Sequence, residues 1–253
     1  MRQLKEIVHD RQRGAGELLG EALDWLARHP EMLAAPSRAA VLRLLRSGRP
    51  VMPGFRVLAD RLERLLERGE PASAVVRRLR EDWLTSGERV AENFSRIAAQ
   101  RGLSSAVTIS WSSAVRRSLS AAGMRRVLVL ESLPGGEGRL TAEWFERHTS
   151  AEVELVPDRR RAEAVRRTDA VVMGADAVLA GKGVINKVGS RELVRLAAEA
   201  GRPVFVVAST WKRITADPAV LLAGEPEGIF EFVPQDLLTA VITETMNPEP
   251  RVD

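Results

Sequence analysis

One carboxylate, one amide and two ammonium groups stand where they could act on a common ligand. Asp176 closes the run Ala170-Val171-Val172-Met173-Gly174-Ala175-Asp176. A second apolar run then leads through the turn Gly181-Lys182-Gly183 to Asn186 and Lys187, just ahead of a helix start near Ser190. Lys212 ends the segment Ser209-Thr210-Trp211-Lys212, after another apolar run. Apolar surroundings disfavour the anion of Asp176 and raise its pKa. A carboxyl that keeps its proton is what a general acid requires. The plainer alternative is an Asp that caps a turn through backbone amides. Lys187 and Lys212 are two of only four lysines in an Arg-rich chain. Beside Asn186, a Lys reads as a point-charge donor to a ligand, with solvated surface Lys as the ordinary alternative.

Other candidates are weaker. Ser110 and Ser112 could be nucleophiles, but no G-x-S-x-G elbow frames them and no His lies near them in sequence. The loop Gly135-Gly136-Glu137-Gly138 could cradle a phosphate, yet it matches neither a P-loop nor G-x-G-x-x-G, and a surface loop is the plainer reading. The chain has no Cys, which removes disulfides, thiolate nucleophiles and Cys-ligated metals. Its three His, at 9, 29 and 148, are scattered and do not form a zinc pattern. No metal or organic cofactor is implied.

These residues need a scaffold, and the pattern supplies one. Residues 1–103 read as helices. Apolar stripes run through Leu4, Ile7 and Val8, then Leu18 to Leu26, Val41 to Leu45, and Leu58 to Leu66. A long last segment begins at Pro71 and carries Val75, Leu79, Trp83, Val90 and Ile97. From 104 to 253 the pattern alternates. Strands are expected at Ala106–Ser110, Val127–Glu131, Glu152–Val156, Ala170–Met173, Pro203–Ala208 and Ile229–Val233. Helices are expected at Ser112–Ala122, Leu140–Arg147, Arg160–Arg167, Ser190–Ala200 and Pro234–Glu244. Continuous apolar strands alternating with helices imply an α/β fold with a Rossmann-like, doubly wound parallel sheet. In such sheets ligands sit outside the carboxyl ends of the strands. The segments found there begin at Ser110, Glu131, Pro157, Gly174 and Ser209. Their hydroxyls, backbone donors and positive charge suit an anionic oxygenated ligand such as a sugar phosphate.

The totals exclude other classes. A chain of 253 residues with 45% hydrophobic and 28% charged residues is ordinary for a soluble globular protein. No apolar run approaches the ~20 residues of a membrane span. Residues 1–15 are charged throughout and lack an apolar signal core, so a cytoplasmic protein is expected. The net charge of +4 and pI of about 10.2 raise the question of nucleic acid. Arg alternates with Asp and Glu, as in Asp60-Arg61-Leu62-Glu63-Arg64, which is the pattern of a solvated, ion-paired helix face. The dense cluster Asp158-Arg159-Arg160-Arg161 has no aromatic neighbour for base stacking, so a nucleic-acid partner is not expected.

The strand-end segments resemble a known family. The residues that carry the likeness are Gly174-Ala175-Asp176-Ala177 with Val184-Ile185-Asn186-Lys187-Val188-Gly189, and Val206-Val207-Ala208-Ser209-Thr210-Trp211-Lys212. Glu131-Ser132 with Arg139-Leu140-Thr141 also fits, as does Phe232-Val233-Pro234 with Ile242-Thr243-Glu244. The family holds the alpha, beta and delta subunits of eukaryotic translation initiation factor 2B. It also holds the isomerases acting on methylthioribose 1-phosphate and ribose 1,5-bisphosphate. The resemblance implies an N-terminal helical domain, here 1–103, and a Rossmann-like sugar-phosphate-binding domain, here 104–253. It implies a homo-oligomer, with pairing through the C-terminal domain and larger rings in some members. It implies Asp176 as the acid, with Asn186, Lys187 and Lys212 on the sugar, and Arg13, Gly14, Ala15 and Arg49 on phosphate. Two departures stand out. The isomerases carry a reactive Cys where this chain has Ser110, and an Arg where it has Leu133. A serine hydroxyl is far harder to deprotonate than a thiol. Two readings follow. One is a sugar-phosphate binder acting as an aldose–ketose isomerase on a phosphorylated pentose, with Asp176 and Ser110 as the catalytic pair. The other is a non-catalytic regulatory or interaction subunit.

Overall fold

A computed structural model describes residues 1–10, 13–226 and 228–245. Five helices come first: α1 (Arg2–Val8), α2 (Ala15–Arg28), α3 (Arg38–Arg46), α4 (Gly54–Glu67) and α5 (Ala72–Arg101). Their apolar stripes meet in one cluster that includes Leu4, Leu23, Leu26, Leu45, Leu58 and Leu62. Helix α5 is 30 residues long, about 45 Å at 1.5 Å per residue. Its first half buries Val75, Val76 and Leu79 among the other helices. Its second half lays Val90, Phe94 and Ala98 against the sheet that follows, where Phe94 meets Phe205 edge-on. Gly102 stops the helix in the left-handed conformation that glycine adopts without strain.

The rest of the described chain forms two sheets. The larger has six parallel strands in the order β10-β7-β4-β1-β2-β3. These are β1 (Ser105–Thr108), β2 (Arg126–Leu130), β3 (Glu152–Val156), β4 (Ala170–Met173), β7 (Val204–Val207) and β10 (Ala240–Ile242). The central strands are buried on both faces, which explains their unbroken apolar runs. Helices α6 (Ser113–Ala121), α7 (Gly138–His148), α8 (Arg161–Arg166) and α9 (Ser190–Glu199) connect them. The chain winds from β1 outward through β2 and β3, then returns to β4 on the other side of β1. The order reverses between β1 and β4, and that is where a doubly wound sheet opens a crevice for a ligand.

The smaller sheet was not foreseen. It has the order β8-β5-β6-β9, from β5 (Ala177–Leu179), β6 (Gly183–Lys187), β8 (Arg213–Ile214) and β9 (Phe230–Pro234). The strand expected at Ile229–Val233 therefore pairs antiparallel with β6 rather than extending the parallel sheet. The helix expected over Pro234–Glu244 is also corrected. A 3-10 turn at Gln235–Leu237 leads into β10, which pairs parallel with β7 through Ala240–Phe205, Val241–Val206 and Ile242–Val207. The Thr239 hydroxyl accepts from the Val204 amide at 2.8 Å and helps to hold this entry into the ladder. A short helix, α10 (Pro218–Leu222), lies between β8 and β9. Trp211, in the turn after β7, is buried in the N-terminal helical cluster beneath the guanidinium of Arg61. It ties the sheet to those helices. No helix among the described residues is long and apolar enough to cross a membrane.

Candidate functional site

The reversal point between β1 and β4 sets the site. Ser110 lies two residues beyond β1, and Asp176 lies three beyond β4. Gly174 allows the end of β4 to approach the loop after β1, because a Cβ there would stand 2.5 Å from the Ser112 hydroxyl. The chain then turns directly from Asp176 into β5. The β5–β6 hairpin brings Ile185 opposite Ala177, and the Asp176 amide donates to the Ile185 carbonyl at 2.8 Å. Asn186, the next residue along β6, is thereby delivered beside Asp176. Lys212 arrives from the turn after β7, and its Nζ donates to the Ala175 carbonyl at 2.5 Å.

Asp176, Ser110, Asn186, Lys212, Gly14 and Ala15 line one cavity of about 60 Å³. At ~10–15 Å³ per water-sized group its enclosed part admits a few waters or one tetrahedral anion, and it lies within about 510 Å³ of empty space that runs out into solvent. No described residue donates a hydrogen bond to the Asp176 carboxylate, so it does not cap a turn. Burial pushes its carboxyl above the usual Asp range, against the opposing pull of Lys212 and Arg49. Burial also lowers the Lys212 ammonium, which Asp176 partly offsets. Burial thus disfavours the charged form of Asp176 and of Lys212 alike.

Ser110 is held in a strained backbone conformation with φ of 71°. Its amide donates to the Ser132 hydroxyl at 2.7 Å, and its carbonyl accepts from the Thr141 hydroxyl at 2.7 Å. Its own hydroxyl donates to Glu137 at 3.1 Å. Glu137 in turn pairs with Lys187 at 3.0 Å. Glu137 was not foreseen as a site residue. The loop Gly135-Gly136-Glu137-Gly138, for which a surface loop was the plainer reading, carries this carboxylate. A Cβ on Gly135 would press on Glu137 and come within 3.3 Å of the Lys187 ammonium. The Asn186 amide donates to the Ser190 hydroxyl at 2.8 Å, at the start of α9.

Arg13, Arg49 and Lys187 are not among the residues that line the cavity. Each is held by a carboxylate of this chain. Arg13 pairs with Asp10 at 2.9 Å and Glu21 at 2.6 Å, and these bonds raise its pKa. Arg49 makes a two-point pair with Glu225, with Nε 3.0 Å from Oε1. The Arg49 guanidinium also lies 5.1 Å from the centre of the Phe230 ring. Glu225 was a second residue outside the sequence reading, because no local signal joins positions 176 residues apart. Arg116 and Trp111 line the cavity too, and neither had been singled out for a role. Among the described residues no cluster of three or more His, Asp and Glu side chains could hold a metal ion.

Comparison with known proteins agrees with this architecture. Residues 39–218 match the model of the initiation factor 2 subunit family. The chain is 28% identical over 200 residues to a ribose 1,5-bisphosphate isomerase of Archaeoglobus fulgidus, covering 69% of this chain and 64% of that one. It thus spans just under two thirds of that relative's length. It is 28% identical over 266 residues to a methylthioribose-1-phosphate isomerase of Anaeromyxobacter sp. (strain K), covering 94% of this chain and 76% of the relative. Among solved structures, a Pyrococcus horikoshii OT3 translation initiation factor eIF-2B superposes with a TM-score of 0.78. It shares 21% identity, covering 96% of this chain and 94% of that chain, a likeness of fold.

Proposed function

The chain belongs to the initiation factor 2 subunit family, and on that premise we propose that its cavity binds a phosphorylated sugar and acts on it as an aldose–ketose isomerase. The observation that carries the reading is the meeting of Asp176, Ser110, Asn186 and Lys212 at the reversal point of the parallel sheet. Two similar proteins named as isomerases act on phosphorylated pentoses, which supports a ligand of that class. Asp176, whose pKa burial raises, would give its proton to a sugar oxygen as the ring C–O bond breaks. Its carboxylate could then take up a proton from carbon. Ser110 stands in the partner position, where its hydroxyl is already committed to Glu137. Asn186 and Lys212 would hold sugar oxygens. Arg13, Gly14, Ala15, Arg49 and Lys187 complete the proposed binding set.

The internal pairing of Arg13, Arg49 and Lys187 favours a second reading, in which the chain binds the ligand without turnover and serves as a regulatory subunit. Pairing with a second copy through residues 104–253 and cytoplasmic residence belong to both proposals. The test is thermal unfolding against a panel of phosphorylated pentoses, with product analysis in parallel. Stabilisation by at least one of them, with conversion to its ketose, supports the isomerase. Stabilisation without conversion supports the regulatory reading. No stabilisation by any member of the panel removes both.

A further inference from the structure

Arg116 is a cavity-lining cation that forms no ion pair with a described carboxylate. It lies on α6 and lines the same space as Asp176 and Ser110. Its guanidinium carbon sits 3.4 Å from the centre of the Trp111 ring and 5.2 Å from that of Trp144. Its Nε is buried and has no hydrogen-bond partner, and no described carboxylate forms an ion pair with it. Burial and the neighbouring Arg117 lower its pKa to about 10, against the pull of Glu17, so it remains a cation at neutral pH. This contrasts with Arg13 and Arg49, whose donors are taken up by Asp10, Glu21 and Glu225. The half-buried guanidinium thus keeps a buried Nε donor unmet, with only the longer-range pull of Glu17 against its charge, and a ligand of opposite charge would meet both.

The neighbourhood suits a phosphate. Stacking on Trp111 fixes the guanidinium plane and leaves its in-plane N–H groups available at the edges. Helix α2 begins at Ala15 with no side-chain cap, and Ala15, Gly16 and Glu17 line the cavity. Their amides have no acceptor within the helix. Gly16 keeps this helix end close, since a Cβ there would touch the Ser113 hydroxyl at 3.4 Å. We infer that Arg116, stacked on Trp111, is the residue that receives the ligand's phosphate in this cavity, together with the first amides of α2. The inference deepens the sugar-phosphate reading and rests on it for the rest of the ligand.

The experiment titrates the wild type, Arg116→Gln and Arg116→Lys with inorganic phosphate, ribose 1-phosphate and ribose. Arg116→Gln should weaken both phosphate ligands by ~10–100-fold, the range for a hydrogen bond to a charged group. Arg116→Lys should fall between, because it keeps the charge and loses the planar stack. Melting each variant without ligand confirms that it is folded, and Arg116→Lys carries the test should Arg116→Gln not fold. Ribose 1-phosphate binding that is equal in all three proteins overturns the role of Arg116 and leaves the sugar-phosphate reading standing. Arg116-dependent binding of inorganic phosphate without binding of ribose 1-phosphate supports Arg116 and counts against the pentose. A wild type that binds neither overturns both.

Discussion

Glu225→Gln removes the charge that holds Arg49, and the structure says what that should cost. The two side chains are 10% and 3% exposed, so the pair is nearly out of water. Arg49 makes a two-point contact, with one guanidinium edge on both carboxylate oxygens. Taking one partner from a buried pair strands the other charge, a loss of ~3–5 kcal/mol. Arg49 keeps a little exposure and the face of Phe230, which puts the expectation at about 3 kcal/mol. For a chain of this length ~2–4 °C accompanies each kcal/mol, so the midpoint should fall by about 6–12 °C. The double variant Arg49→Leu with Glu225→Leu strands no charge and should recover most of the loss. Thermal unfolding followed by circular dichroism reads all three proteins. A Glu225→Gln midpoint within ~2 °C of wild type would refute the reasoning, since the pair would then be too solvated to matter.

Four further outcomes are expected. Asp176→Asn should abolish isomerisation and largely spare ligand binding, read by product formation and titration. The raised carboxyl of Asp176 also makes a pH signature: the folded chain holds this proton more tightly than the unfolded one. Its contribution to stability is therefore full below the ordinary Asp value of ~3.9 and is lost as pH rises through the raised value. Denaturant midpoints should show Asp176→Asn gaining on wild type as pH rises from ~4 to ~8; a constant gap would contradict it. Ser132→Ala deletes a buried hydroxyl that accepts from the Ser110 amide and donates to the Leu130 carbonyl at 2.9 Å. It should cost ~1–3 kcal/mol and weaken ligand binding by loosening Ser110. Gly138→Ala would put a Cβ 1.8 Å from the Leu130 carbonyl oxygen, where the backbone itself must yield. A loss of ~3 kcal/mol or more, measured by urea unfolding, is expected.

The parts legible in the sequence were those whose cause is local. Val127 to Leu130 and Ala170 to Met173 read as strands because burial on both faces leaves no polar position. The tail from Pro234 was misread for a physical reason. Leu237, Leu238, Val241 and Ile242 are spaced as on a helix, yet pairing with β7 decides their conformation. The hairpin of β5 and β6 and its partners were invisible as a sheet, because runs of three to five residues carry little periodicity. In the site, Asp176 and Asn186 were legible through their flanking apolar runs. Glu137, Arg116 and Glu225 were not, since their importance lies in what they face. Ser110 finds Glu137 across 27 positions of sequence, and nothing at Glu137 itself signals that it will.

The most direct test of the account is a crystal structure of the wild type soaked with a phosphorylated pentose such as ribose 1-phosphate. The account predicts ligand density in the cavity between β1 and β4. A sugar oxygen should lie within hydrogen-bond distance of the Asp176 carboxyl, with the phosphate against Arg116 and the first amides of α2. A ligand seated elsewhere on the chain, with Asp176 untouched, would contradict it.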